Sequence, residues 1–139
     1  MRILGLDVGT KRIGVALSDG LFITSQGLET IYRQTLDKDL ETIKNVIKEN
    51  DVGEVVVGLP LNMNGTYSQK TKEVVEFMDN LSKAIGIPVK TWDERLTTVQ
   101  AERVLLEADV SRRKRRQTAD RLAAQIILQG YLDSRKKET

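Results

Sequence analysis

Short apolar, β-rich runs occupy residues 2–8 and 11–18, separated by Gly9-Thr10. A third stretch, 21–31, continues in the same style after Asp19-Gly20, and the three together predict an antiparallel meander. The period then changes. From Thr35 to Asn50, Leu36, Leu40, Ile43, Val46 and Ile47 recur at helical spacing, and Val55-Val56-Val57-Gly58 follows as a buried strand. The αβ step repeats: Val74, Val75, Phe77, Met78, Leu81 and Ile85 mark a helix over 68–85, Gly86 can end it, and 87–92 is the next strand. Thr97-Thr98-Val99-Gln100 has the Thr-x-x-Gln form of a capping box and starts a helix carrying Val99, Val104, Leu105 and Leu106. A basic cluster then separates that helix from a last one over residues 117–133. The order βββαβαβαα predicts a mixed sheet with helices on both faces, an α/β layer architecture. With 139 residues and no internal repeat or Pro-rich linker, the expectation is a single domain spanning 1–139.

Composition narrows the chemistry. The chain has no His and no Cys, which excludes Ser-His-Asp and Cys-His nucleophile systems and an ordinary protein zinc site. Any reaction must run on carboxylates, amines, hydroxyls or a borrowed ion. Without cysteine there is no disulfide framework, which suits a reducing cytosol. The N-terminal run is broken by Asp7, Lys11 and Arg12, unlike a secretory signal, and no segment approaches the ~18 apolar residues that span a bilayer. A soluble cytoplasmic protein with no membrane partner is expected. The net charge of +2 hides an asymmetry: residues 1–89 carry 10 basic and 12 acidic side chains, and residues 90–139 carry 12 basic and 8 acidic. Much of the excess sits in Arg112-Arg113-Lys114-Arg115-Arg116, with Arg135, Lys136 and Lys137 behind it, so the choice is between a polyanion partner and a solvated loop.

Three acids stand at the edges of apolar elements. Asp7 ends the run Ile3-Leu4-Gly5-Leu6-Asp7-Val8 just before Gly9, where it is either a turn former or a site carboxylate. Gly9, with Thr10 and Lys11 after it, would let a backbone or phosphate approach closely. Asp93-Glu94-Arg95 closes the strand 87–92, at the kind of strand end where ligand sites gather in α/β sheets. Two adjacent acids point to opposite faces, so one can face a site while the other pairs with Arg95 or caps a helix. Asp120 shares a helical face with Ala123, Ala124, Ile127 and Leu128, which a helix-terminal acid has no need to do. The loop Gly58–Thr66, with Asn62 and Asn64, could line the same sheet edge and touch phosphates or sugars, or be an ordinary βα connection. Carboxylates in this arrangement would suit a hard cation such as Mg²⁺, one ion or two, holding the oxygens of a phosphodiester without any histidine.

These residues carry a resemblance. Ile3–Ala16, Val57-Gly58-Leu59-Pro60 with Asn62-Met63-Asn64-Gly65, Asp93-Glu94-Arg95-Leu96-Thr97-Thr98, and Asp120-Arg121-Leu122-Ala123-Ala124 stand in the order found in the bacterial YqgF family, also called RuvX, of the ribonuclease H-like superfamily. The likeness runs over essentially the whole chain. It departs at Asp19-Gly20, where the family often has Asp-Pro. The resemblance implies a five-stranded mixed sheet, three strands antiparallel and two parallel, flanked by helices. It also maps an acidic triad onto Asp7, Glu94 and Asp120, a choice between Asp93 and Glu94 that spacing leaves open.

On that basis the expected function is a Mg²⁺-dependent nuclease, with Mn²⁺ as a substitute ion, that processes the 5′ end of precursor 16S rRNA. Asp7, Glu94 and Asp120 are the catalytic and metal-holding candidates. Thr10, Lys11, Arg12, Asn62, Arg95 and residues Arg112, Arg113, Lys114, Arg115 and Arg116 are candidates for nucleic-acid contact, and Gly9, Asp93 and Thr98 for support. The expected partners are the precursor RNA and the small-subunit precursor that contains it, with the protein a monomer or a homodimer. Four-way junction DNA is the alternative substrate, favouring a two-fold dimer. A non-catalytic RNA-binding module and a nucleotide-binding lobe of the sugar-kinase type are the other classes. The last needs two lobes around its nucleotide, and 139 residues supply one.

Overall fold

The computed structural model describes residues 1–96 and 112–137, with side chains for 1–95 and 121–135. β1 (Arg2–Val8) and β2 (Arg12–Ser18) form an antiparallel pair in which Leu6 faces Val15 and Asp7 faces Gly14. The expected third strand is two short pieces, β3 (Ser25–Gly27) and β4 (Ile31–Tyr32), both antiparallel to β2. The reason is local. The Asp19 carboxylate accepts hydrogen bonds from the Ile23 and Thr24 amides at 2.7 and 3.0 Å, and Phe22 takes a left-handed φ of 60°, so residues 19–24 close a loop before pairing begins. Those amides, Thr24 first, also hold the Asp19 carboxyl below the ordinary carboxylate range.

Helix α1 (Leu36–Glu49) starts at Thr35, whose side chain accepts from the Lys38 amide, and ends at Asn50. It leads into β5 (Val52–Leu59), parallel to β1, and α2 (Gln69–Ala84) then leads into β6 (Val89–Asp93), parallel to β5. Ser68 and Thr71 cap α2 reciprocally. A 3₁₀ turn, Glu94–Leu96, follows β6, and the last helix, α3, runs Arg112–Lys137. This helix corrects the sequence expectation. Residues 112–116 are its opening turns and not a loop, because Arg, Lys and Gln are strong helix formers and no Gly or Pro interrupts them. The capping box at 97–100, with Thr98, and the helix expected to follow it lie outside the described residues.

The sheet order is β3-β2-β1-β5-β6, with β4 beside β2. This is the mixed α/β sheet of the ribonuclease H-like class, with its third strand interrupted. Alternation along the strands makes two cores. Leu4, Leu6, Val8, Val15, Val55 and Val57 pack with Ile43 of α1 and with Val74, Phe77 and Leu81 of α2. Ile3, Ala16 and Val56 pack on the other face with Ala124, Leu128 and Leu132 of α3. There α3 lies so close that a Cβ on Gly5 would stand 2.8 Å from Leu128 Cβ. Its far end is pinned by Glu54 of β5, which accepts from the Tyr131 hydroxyl at 3.0 Å and from the Arg135 guanidinium at 2.7 Å. The C-terminal half of α3 is thereby fixed along the sheet, which matters because the site opens on this face.

Candidate active site

Asp7 follows Ile3 and Gly5 on the α3 side of β1 and is half-buried at the end of its strand. Glu94, one residue beyond β6, reaches the same place across β5. Room for it comes from Gly58: a Cβ there would lie 2.9 Å from the Cγ and Cδ of Glu94 and 2.5 Å from Ile127 Cδ1. Gly58→Ala is therefore expected to force Glu94 and Ile127 apart and to cost about 1–3 kcal/mol. A lowered urea midpoint at unchanged denaturant slope would register it.

The two carboxyls meet. Burial of the group, followed by the charge of Asp7 and a hydrogen bond with it, pushes the Glu94 carboxyl up from an ordinary 4.5 to about 8. Toward neutral pH Glu94 therefore favours its protonated form, in hydrogen-bond contact with Asp7. Lys70, exposed in the first turn of α2, works the other way by favouring ionised Glu94. Asp93 points elsewhere. It is clasped by Arg95, whose Nε donates to both carboxylate oxygens at 3.1 and 2.9 Å and whose Nη2 donates at 2.6 Å, so its carboxyl stays below the usual range. Of the adjacent acids, Glu94 faces Asp7 and Asp93 faces its arginine.

Gly9, Thr10, Lys11 and Arg12 form the tight turn beyond Asp7, closed by the Gly9 amide donating to the Arg12 carbonyl at 2.9 Å. Thr10 and Lys11 are exposed and Arg12 is half-buried. Arg33 braces the turn from beneath: its amide donates to the Lys11 carbonyl at 2.9 Å and its Nη1 to the Gly9 carbonyl at 3.0 Å. The same guanidinium stacks over Phe77 and donates to Asp39, a carboxylate only 3% exposed that also accepts from the Gln34 amide. Arg33→Met should leave Asp39 buried without its cation and cost about 3 kcal/mol, a loss to be read in chemical unfolding. Arg33, Asp39 and Lys70 escape sequence reasoning, since each looks like an ordinary solvated charge on or near a helix start.

Asn62, exposed, bonds within its own loop, its Nδ2 donating to Thr66 Oγ1 at 3.0 Å. Asp120 stands in α3 one helical turn before Ala124, which packs on the sheet. Its side chain and those of Arg112, Arg113, Lys114, Arg115 and Arg116 lie outside the described residues. Among the described residues no three acids gather into a metal-holding group; Asp7 and Glu94 are a pair. A recess of about 420 Å³ lies at the opposite end of the sheet, between Lys44 and Ile47 of α1 and Ile85–Ile87, with no paired acids.

The ribonuclease H-like sheet thus brings two carboxyls together at its strand ends. The family model described as RuvX, Holliday junction resolvase, matches residues 1–134, and the chain belongs to this family. Proposed pre-16S rRNA nucleases of Halothermothrix orenii and Moorella thermoacetica are similar to it. The first is 54% identical over 99% of this chain and 98% of its own, the second 58% identical over 96% and 95%. In fold it is similar to T. thermophilus RuvC, solved in complex with a Holliday junction substrate, with a TM-score of 0.63 and 16% identity over 99% of this chain and 96% of that one. The fowlpox virus resolvase, solved with Holliday junction DNA, gives 0.60 at 11% identity over 96% and 98%.

Proposed function

We propose that this chain, acting as a single domain, is a divalent-metal-dependent nuclease that matures the 5′ end of precursor 16S rRNA. The observation that carries the proposal is the Asp7–Glu94 pair, two acids held together at the cost of a proton. The donor set fits a hard cation: both groups offer oxygen, and a divalent charge would take the place of the proton and offset both the burial and the Asp7 charge that raise Glu94. Asp7 and Glu94 would hold Mg²⁺ or Mn²⁺, one ion or two, and Asp120 would be the third ligand by its place in α3. When bound, the ion supplies Lewis-acid stabilisation of the charge developing on phosphate. The chain's own work is to orient the strand. Thr10, Lys11 and Arg12 present donors beside Asp7, Lys70 faces the pair from α2, and Arg112–Arg116 add positive charge at the start of α3. Such contacts position a polyanion and read little of its sequence. Arg95, held by Asp93, is better placed to fix the neighbouring loop than to move with a phosphate, and Gly9 and Asp93 support the two ends of the pair.

No described helix is long and apolar enough to cross a membrane, and the names of the relatives suggest a cytoplasmic place of action on the small-subunit precursor. A second reading, junction DNA cleavage by a homodimer, is favoured by the family description alone. The test offers purified protein a precursor 16S RNA and a four-way DNA junction in Mg²⁺, in Ca²⁺ and with chelator. Mg²⁺-dependent cutting of the RNA supports the proposal, and cutting of the junction alone favours the second reading. Cleavage that survives the chelator sinks the metal requirement.

A further inference from the structure

The loop between β5 and α2 is built more firmly than a connector needs to be, and it spends that order on displaying an apolar side chain. Met63 is 86% exposed at its tip, and Tyr67 is 53% exposed four residues on. Asn62 and Gly65 close the turn with an amide-to-carbonyl bond of 2.8 Å, made possible by the positive φ of 85° at Gly65. The Asn62 amide donates to the Thr66 carbonyl at 2.9 Å, and the Asn64 side chain accepts from Thr66 twice. Two outside ties fix the loop to the site. Thr71 Oγ1 donates to the Pro60 carbonyl at 2.5 Å, and Arg95 Nη1 donates to the Met63 carbonyl at 3.1 Å while the same guanidinium clasps Asp93. The tip is therefore tied to the residue next to Glu94, on the edge of the sheet where the carboxyl pair lies.

Nothing in the core accounts for Met63, since its side chain packs on little of the described chain. A thioether is polarisable and adapts to flat surfaces, and a phenol ring stacks on bases. We propose that Met63, with Tyr67 four residues on in the same loop, is a nucleobase contact that receives an unstacked base next to the carboxyl pair, so that the substrate class is nucleic acid with unpaired bases at the cut and not continuous duplex. This rests on the nuclease reading above. The bracing is what the role requires: a base leaves its stack only for a surface already in place, because ordering a slack loop would consume the contact energy.

The experiment uses the full chain and two RNA probes of one length and base composition, one single-stranded and one a perfect duplex, in Ca²⁺, with affinity and its salt dependence measured for each. Wild type is expected to bind the single strand more tightly. Met63→Ala should lose about tenfold on the single strand, with duplex affinity and the salt slope unchanged, and Met63→Leu should recover most of the loss. Thermal unfolding should not move, because the side chain is exposed. Equal losses on both probes, or no loss on either, overturn the proposal, and no loss leaves Met63 to a protein partner. The nuclease reading is checked apart from this. Asp7-dependent cleavage by wild type with an unchanged probe ratio in Met63→Ala removes the base contact alone, while wild type that neither binds nor cuts either probe removes both.

Discussion

Asp7→Asn is expected to reduce cleavage by roughly 10³-fold or more while making the metal-free protein more stable. The activity loss follows from the pair's geometry. Asn keeps the size of the side chain and can still hydrogen-bond to Glu94, but it offers a cation one neutral oxygen where a carboxylate stood. Loss of several kcal/mol of charge stabilisation at the phosphate corresponds to that factor, at about 1.4 kcal/mol per tenfold. The stability gain follows from the same contact: Asp7 contributes both a charge and a hydrogen bond to holding Glu94 near 8, and the variant removes the charge. The two readouts move in opposite directions, which a merely misfolded variant cannot imitate. Cleavage of precursor RNA and thermal unfolding at pH 8, each with and without Mg²⁺, check both. Wild type should gain melting temperature from Mg²⁺ and the variant should gain little. A variant that cuts within about threefold of wild type would remove Asp7 from the reaction.

How far the sequence reaches differs between elements, for physical reasons. The helix over Leu36–Glu49 is legible because its apolar positions face one core and its ends carry their own caps. The strand at 55–58 is legible only in its middle. It extends to Val52–Leu59, but Glu54 interrupts the apolar run, and its reason for being there, Tyr131 and Arg135, lies some eighty residues away. The meander over 21–31 misleads because apolar residues there suggest pairing while Asp19 and Phe22 bend the chain first. Charge misleads at 112–116 in the opposite sense, since a run of like charges suggests a loop where propensity favours helix.

The site divides in the same way. Asp7 and the Asp93-Glu94 step stand out as acids ending apolar strands, but the choice of Glu94 over Asp93 is invisible in spacing. It depends on β5 lying between the two strand ends and on Gly58 leaving a space there. Arg33 and Asp39 are legible to no local rule, because what they hold is a turn more than twenty residues upstream. Residues that carry charge chemistry announce themselves as local exceptions; residues that hold those in place do so through the tertiary fold and look ordinary along the chain.

Glu94 also makes the stability of the metal-free protein depend on pH, with a sign opposite to that of most acidic residues. A carboxylate in a favourable ion pair has its folded value lowered and loses stability as pH falls. Glu94 has its folded value raised, from 4.5 to about 8. Between those limits the folded state keeps a proton that the unfolded chain has released, so stability falls as pH rises from 4.5 and levels off above about 8. The whole penalty is on the order of 4 to 5 kcal/mol, at about 1.4 kcal/mol per pH unit of displacement. Glu94→Gln keeps a hydrogen-bond donor toward Asp7 and removes the ionisation, so its stability should stay flat over that range. Chemical unfolding at pH 5, 6.5 and 8.5 in chelator should therefore find wild type and variant nearly equal at the first and the variant ahead by several kcal/mol at the last. Mg²⁺ should close most of that gap for wild type, because a cation between the two carboxylates does at pH 8.5 what the shared proton does at pH 5. Curves that run parallel across the range would mean that neither burial nor Asp7 raises Glu94.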